Sequence, residues 1–475
     1  MSLIDLTSVH WAVLLPAALL FLIPLFWGVH LCLARPRRGL LVAVLLLPIY
    51  LTSESLLRFL ASVFGGSQTV IPADILFVLV FAGFLLTRRA ATLFREPARY
   101  PIALCLLFFL IAALFSLVHS DDLLLSLMAL FSYAQLFVIA LAVEAIPDGL
   151  QDLERVVRHW MYSYIVVLGA GLFGLVSLWA GWDTFPVHSM QAIKATFRFP
   201  NQLSFFLTAS LPVFFSLTFR GAVSRRMHSL VLLSMPFALA LAWFSGSRSG
   251  VASVVVAGAT VCVLHATRAR VYAWTGLAIL VLAGSYVAST RTSSEGLREN
   301  SARYTILLDP ASRSSETTFY ETTDAPAISA FLDFPFFGGG VGTVLSREVQ
   351  DDQPLEAHNV FIGVLGQTGL LGLLACLMTL ALAVHNVVRA RAMATSPFVK
   401  ELAAGTLAAL AGTLVHGLAN FDWRARYFWF LLAMTTVVRM AAEREFQSVR
   451  ALAGVRTTED FLIDGSLVAP APLRS

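Results

Sequence analysis

The stretch AHNVFIGVLGQTGLLGLLACLMTLALAVHNVV, Ala357 to Val388, decides the fold class. It holds no Asp, Glu, Lys or Arg, and from Val360 onward it exceeds the ~20 apolar residues that a helix needs to cross the hydrocarbon core of a bilayer. A membrane β-barrel would alternate apolar and polar residues in segments of ~10, whereas this run is continuous, so its backbone groups must be satisfied within a helix. Runs of the same kind recur along the 475 residues, of which 58% are hydrophobic and only 13% charged. With a mean hydropathy of +0.78, the chain reads as an all-α, polytopic protein whose surroundings are membrane lipids. The four cysteines, Cys32, Cys105, Cys262 and Cys376, fall inside apolar runs and read as small buried residues, without a disulfide framework or metal cluster.

Outward from this run, basic clusters alternate with outer turns. RPRR (Arg35 to Arg38) follows the first apolar run, His10 to Ala34, and Arg88, Arg89, Arg95 and Arg99 follow a span over Ile71 to Leu86. PDGLQDLERVVRH reads as an interfacial helix between the spans Leu123 to Ile146 and Trp160 to Trp182. Arg220, Arg225 and Arg226 close the span Leu203 to Phe219; Arg389, Arg391 and Lys400 close Val360 to Val388; further arginines follow the last span, Tyr427 to Val438. Basic clusters mark the cytoplasmic side. This topology puts 22 of the 33 Lys and Arg residues inside and 11 outside. It implies 13 spans with the N-terminus outside, or 12 if the first run, which holds Pro16 and Pro24, is re-entrant. The expected organisation is ten spans over 1–290, one large outer loop over 291–357, three spans over 358–440 and a cytoplasmic tail over 441–475.

The large loop opens with RTSSEGLRENSARYTILLDPASRSSETTFYETTDA (Arg291 to Ala325), passes through FPFFGGGVG (Phe334 to Gly342) and ends at His358. A polar insertion between spans, closing on a histidine at the membrane boundary, is where chemistry is expected. Arg198, in ATFRFPNQLSFF, and Arg248, in SGSRSG, oppose the sorting rule and need a local reason. They read either as interfacial anchors or as an anion clamp, since a guanidinium offers paired donors that match phosphate oxygens. His358 reads either as a helix-boundary histidine bonded to a carbonyl or as a neutral general base, with Asn359 capping the helix. Gly363, Gly366, Gly369 and Gly372 line one helix as a close-packing groove. GGGVG has the form of a phosphate nest and equally of a flexible turn. No HExxH, CxxC or Asp-x-Asp motif is present, so neither a metal-dependent reaction nor a cofactor is expected, and no nucleic-acid partner.

FRFPNQ before a span, SGSRSG between two spans, a long outer loop ending in DFPFFGGGVG, and then HN, nine residues and G-x-x-G together resemble the superfamily of O-antigen ligases and O-antigen polymerases, bacterial membrane glycosyltransferases. The resemblance runs over Ala195 to Val438. It implies a multi-pass protein of the inner membrane with a periplasmic active face. The implied donor is a glycan linked to undecaprenyl diphosphate, and the acceptor is a hydroxyl of lipid A-core for a ligase or of another lipid-linked repeat unit for a polymerase. His358 would then be the catalytic base. Arg198, Arg248 and Arg313 would bind the donor diphosphate, with Asn201 and Asn359 in support. Tyr320 stands where the family commonly has a loop arginine, which makes Arg313 and Arg303 the nearest substitutes, and Gln367 replaces an acidic residue. A flippase or transporter of lipid-linked glycans is the alternative of another class; it favours charges at mid-membrane and repeat symmetry. A purely structural assembly protein would leave the outer arginines without a reason.

Overall fold

The structure, a computed structural model, describes residues 28–50, 72–182, 184, 186–188, 192–265, 268–291, 298, 304, 310–344, 349–350, 353–354 and 357–452. The described residues are 82% helical, and no strand among them exceeds two residues. The protein is therefore an all-α, polytopic membrane protein. Its helices are α1 (Pro36–Leu46), α2 (Pro72–Leu85), α3 (Pro101–Ser116), α4 (Leu123–Ala145), α5 (Leu150–Ala180), α6 (Pro200–Leu217), α7 (Arg225–Phe244), α8 (Arg248–Leu264), α9 (Arg268–Arg291), α10 (Pro310–Asp333), α11 (Val360–Met393), α12 (Pro397–Gly417) and α13 (Arg426–Leu452). All but α10 stand where the sequence expects spans two to thirteen. The first expected span lies largely outside the described residues, as does the tail after Leu452.

Among the described residues six helices are long and apolar enough to cross a membrane: α3 with its short extension to His119, α4, α5, α7, α11 and α12. Three shorter apolar helices, Pro72–Leu85, Arg248–Leu264 and Tyr272–Ala288, accompany them. Helix α6 is more polar for a physical reason. Every residue from Leu203 to Leu217 is buried, so its serines and threonines meet other helices and not lipid. Small residues let α6, α8 and α12 approach closely. A Cβ at Gly405 of α12 would stand 2.6 Å from the Val213 Cα, and one at Gly412 would stand 2.7 Å from Ala257 and Thr208.

Helix ends are set locally. Pro101, Pro200 and Pro397 occupy first-turn positions, where a missing N–H costs nothing. Asp122, Ser247, Asn359 and Ser396 cap free amides at the starts of α4, α8, α11 and α12. Three expectations are corrected. The interfacial helix and the span after it are one 31-residue helix, α5, because no Pro or Gly interrupts the chain between Leu150 and Gly169. The outer loop contains the 24-residue helix α10. Helix α11 breaks at Gly369, where φ is 63°; there the Leu370 N–H donates to the Pro335 carbonyl at 2.9 Å.

Polar contacts sort the helix ends into two faces. On one face Asp148 accepts from Arg444 at 2.9 Å, from Arg37 at 3.3 Å and from Arg89. Burial pushes the Asp148 carboxyl up, but Arg89 and Arg444 outweigh it and hold the group below its ordinary value. Glu401 joins Arg220 and His265 on this face, and Ser396 donates to Glu445 at 2.6 Å. These are the basic segments that the sequence assigns to the cytoplasm. On the opposite face Arg426 binds Asp74 through Nε and Nη2 at 2.6 and 2.7 Å and reaches the Tyr50 hydroxyl at 3.2 Å. Arg426, one of the outer arginines, thus has a structural reason to be there: it ties α13 to α2.

Candidate functional site

Four helix ends meet at the second face through a chain of side-chain hydrogen bonds. Asn201 in the first turn of α6 donates to the Asn420 Oδ1 at 3.1 Å. Asn420, beyond the end of α12, donates in turn to the Ser249 Oγ at 2.7 Å and to the His416 carbonyl at 3.3 Å. Ser204 lies 3.3 Å from the His416 Nε2 and donates to the Asn201 carbonyl at 2.9 Å. The Nδ1 of His416 bonds Asp422. Asn359 accepts from the Phe361 and Ile362 amides at 2.9 and 3.3 Å and donates to the Leu418 carbonyl at 3.2 Å, which brings the start of α11 into the same corner.

Three of the sequence-derived site residues are carried by this framework. Arg248 is the first residue of α8 and neighbours Ser249. Arg198 precedes α6, its guanidinium 4.9 Å from the centroid of the Phe199 ring, and its amide donates to the Gln202 side chain at 3.2 Å. His358 is half-buried just before α11, and its amide donates to the Asp324 Oδ1 at 2.8 Å. Helices α6, α8 and α11 all begin here, so three positive dipole ends point the same way as two guanidinium-bearing segments. Together they make a corner that favours anions.

Residues 230–377 match the model of a family described as O-antigen ligase. Over that stretch the chain is similar to the O-antigen ligases. No curated protein matches the sequence. The O-antigen ligase match spans Arg248, Arg313, Asp324, His358 and Asn359; Arg198, Asn201, His416 and Asp422 lie outside it. It supports a function of the ligase or polymerase type in general, and with it an enzyme of the glycosyltransferase kind.

Within the O-antigen ligase region, other expected features have structural jobs. The amides of the glycine turn are taken by the protein, which argues against a phosphate nest: Gly339 donates to the Gly366 carbonyl at 2.9 Å, Val341 to the Ser116 Oγ at 3.1 Å and Gly342 to the Gln367 Oε1 at 3.4 Å. Gln367 also accepts from Arg424 at 3.4 Å, so it bolts the turn to α11. The glycine groove is filled by the chain itself, with Phe421 against Gly363, Ala327 against Gly366 and Phe336 against Gly369. Arg313 sits on α10 eleven residues before Asp324, ~16 Å along the helix axis at 1.5 Å per residue; its side chain, like Arg303, lies outside the described residues. Among the described residues no three His, Cys, Asp or Glu side chains group as metal ligands.

Sequence reasoning missed Asp324, His416, Asn420 and Asp422. The last three stand in HGLANFD, a histidine and an aspartate six residues apart across a helix end, which is a legible signal. Asp324 is one of several acids in a polar run, and nothing local singles it out.

Proposed function

We propose that this O-antigen ligase relative transfers a glycan from an undecaprenyl-diphosphate carrier to an acceptor hydroxyl of lipid A-core, at the periplasmic face of the bacterial inner membrane. The observation that carries the reading is the meeting of Arg198, Arg248 and the His358 segment with three helix N-termini, on the face opposite the basic clusters. The acceptor oxygen attacks the anomeric carbon, and the bond from that carbon to the diphosphate oxygen breaks, with inversion. His358 takes the hydroxyl proton, while Arg198 and Arg248, with Arg313 on the donor side, stabilise the charge that gathers on the departing diphosphate. Asn201 and Asn359 hold the framework. The polyprenyl tail would lie against the apolar helices of the bundle. No metal or cofactor takes part.

The test is transfer by the purified protein in nanodiscs with EDTA, given the lipid-diphosphate glycan and two acceptors, lipid A-core and a second lipid-linked repeat unit. Glycan on lipid A-core is the expected product. Extension of the lipid-linked repeat alone makes the protein a polymerase. If neither acceptor is modified while the lipid-linked glycan changes leaflet in vesicles, the protein is a transporter.

The domain organisation makes its own prediction. A cysteine at Ser329, an exposed position on α10, reacts with a membrane-impermeant maleimide in outer-permeabilised cells, whereas one at exposed Ser448 reacts only after the inner membrane is lysed. The native cysteines are buried and give little background. The reverse pattern would put the 291–357 segment in the cytoplasm and remove the proposed site from the periplasm.

A further inference from the structure

The second half of α10 is held rigidly against α11. Thr323 and Ala327 are buried; Ala327 packs with Val344 and Ala357, and Ile362 of α11 covers them. A Cβ at Gly366 would stand 2.5 Å from the Ala327 Cα, and one at Gly339 would stand 2.8 Å from the Ala330 Cβ. The missing side chains are what let α10 approach. Asp324 sits one turn before Ala327 on this docked segment, and its Oδ1 accepts the His358 amide hydrogen at 2.8 Å across 34 residues of sequence. Burial raises the Asp324 carboxyl above its ordinary value, while the bond from the His358 amide and the charge of His358 pull it back.

We infer that Asp324 is the positioning carboxylate of His358: it fixes the residue through the backbone, and its negative charge favours the imidazolium that forms when His358 takes the acceptor proton. This rests on the proposed role of His358 as base. In the step itself the acceptor O–H bond breaks and a new N–H bond forms on His358, and Asp324 keeps its charge throughout. A carboxylate beside an imidazole strengthens it as a base, and a helix dock made by backbone-close glycines holds the two in register better than a loop would. Among the described residues, the ionisable groups on the elements that meet at this end include Arg198 before α6, Arg248 on α8, His119 at the end of α3, and the His416–Asp422 pair with Arg424 beyond α12. His119 stacks on Phe334 at 4.2 Å, and His416 bonds its own carboxylate.

The test compares Asp324→Asn, Asp324→Ala and His358→Ala with the unaltered protein in nanodiscs, following kcat/KM for glycan transfer against pH. Asparagine keeps an oxygen for the His358 amide and loses only the charge. Its plateau is expected to fall about tenfold, the factor for one pK unit of lost charge stabilisation. The acid limb of its profile moves to lower pH, because a histidine without its carboxylate gives up its proton more readily. Asp324→Ala loses the amide bond as well and falls further; if it does not fold, the asparagine variant still decides. A slower Asp324→Asn with an unmoved acid limb makes Asp324 a plain helix anchor and overturns the inference while the base reading stands. An unchanged rate and profile overturn it equally. Near-normal transfer by His358→Ala sinks the base reading, and the inference falls with it.

Discussion

Replacing His358 by alanine lowers glycan transfer by roughly 10²- to 10⁴-fold, the range for losing a positioned general base, with the protein still folded and inserted. Both parts of this expectation come from the geometry. The bond to Asp324 is made by the His358 backbone amide, and α11 is capped by the Asn359 side chain, not by His358; alanine keeps both. What alanine removes is the imidazole and nothing that starts the helix. Transfer from purified lipid-diphosphate glycan to acceptor is measured with EDTA present, and insertion is checked by the protein level in the membrane. A near-normal rate removes His358 as the base. Transfer that returns only with a divalent ion points to a metal-assisted route.

How far the sequence carries the fold depends on the range of the interactions involved. Uninterrupted apolar runs between basic clusters mark helix positions by composition alone, which is why α3, α4, α7, α11 and α12 stand where the runs do. What composition misses is context. The run Leu203 to Phe219 marks α6 as a span, but not that every residue from Leu203 to Leu217 is buried among other helices, and the break of α11 at Gly369 is made by Pro335 and Phe336 from another segment. The site divides in the same way. Arg198, Arg248 and His358 stand out because a charge or an imidazole at an outer helix end opposes the local pattern. The meeting of the helix starts beside them was not legible, because Asn201 and Asn420 are 219 residues apart and Asn420 and Ser249 are 171 apart. Asp324 was hidden twice, inside a segment read as loop and among other acids, and only the docking of α10 singles it out.

The second large effect is expected at Arg248, where lysine should serve almost as badly as alanine. The backbone there has little freedom: Ser247 accepts the Gly250 amide at 3.2 Å, and a Cβ at Gly250 would collide with Ser204 of α6, so α8 starts at a fixed height against its neighbour. Ser249 is held by Asn420 at 2.7 Å. These contacts use the residues on either side of Arg248 and survive its substitution, so the variants are expected to reach the membrane at normal levels. In the proposed site, arginine from that fixed Cα would present a planar fork to two diphosphate oxygens at once, whereas lysine presents a single mobile charge. Loss of one positioned donor to a developing oxyanion costs roughly 10²- to 10³-fold, and the loss is expected for Arg248→Ala and Arg248→Lys alike, read as kcat/KM for transfer from the same lipid-diphosphate glycan. If lysine restores most of the rate at equal protein levels, the corner asks only for positive charge. The paired-donor model then fails, while the anion-binding character of the three helix starts is left intact.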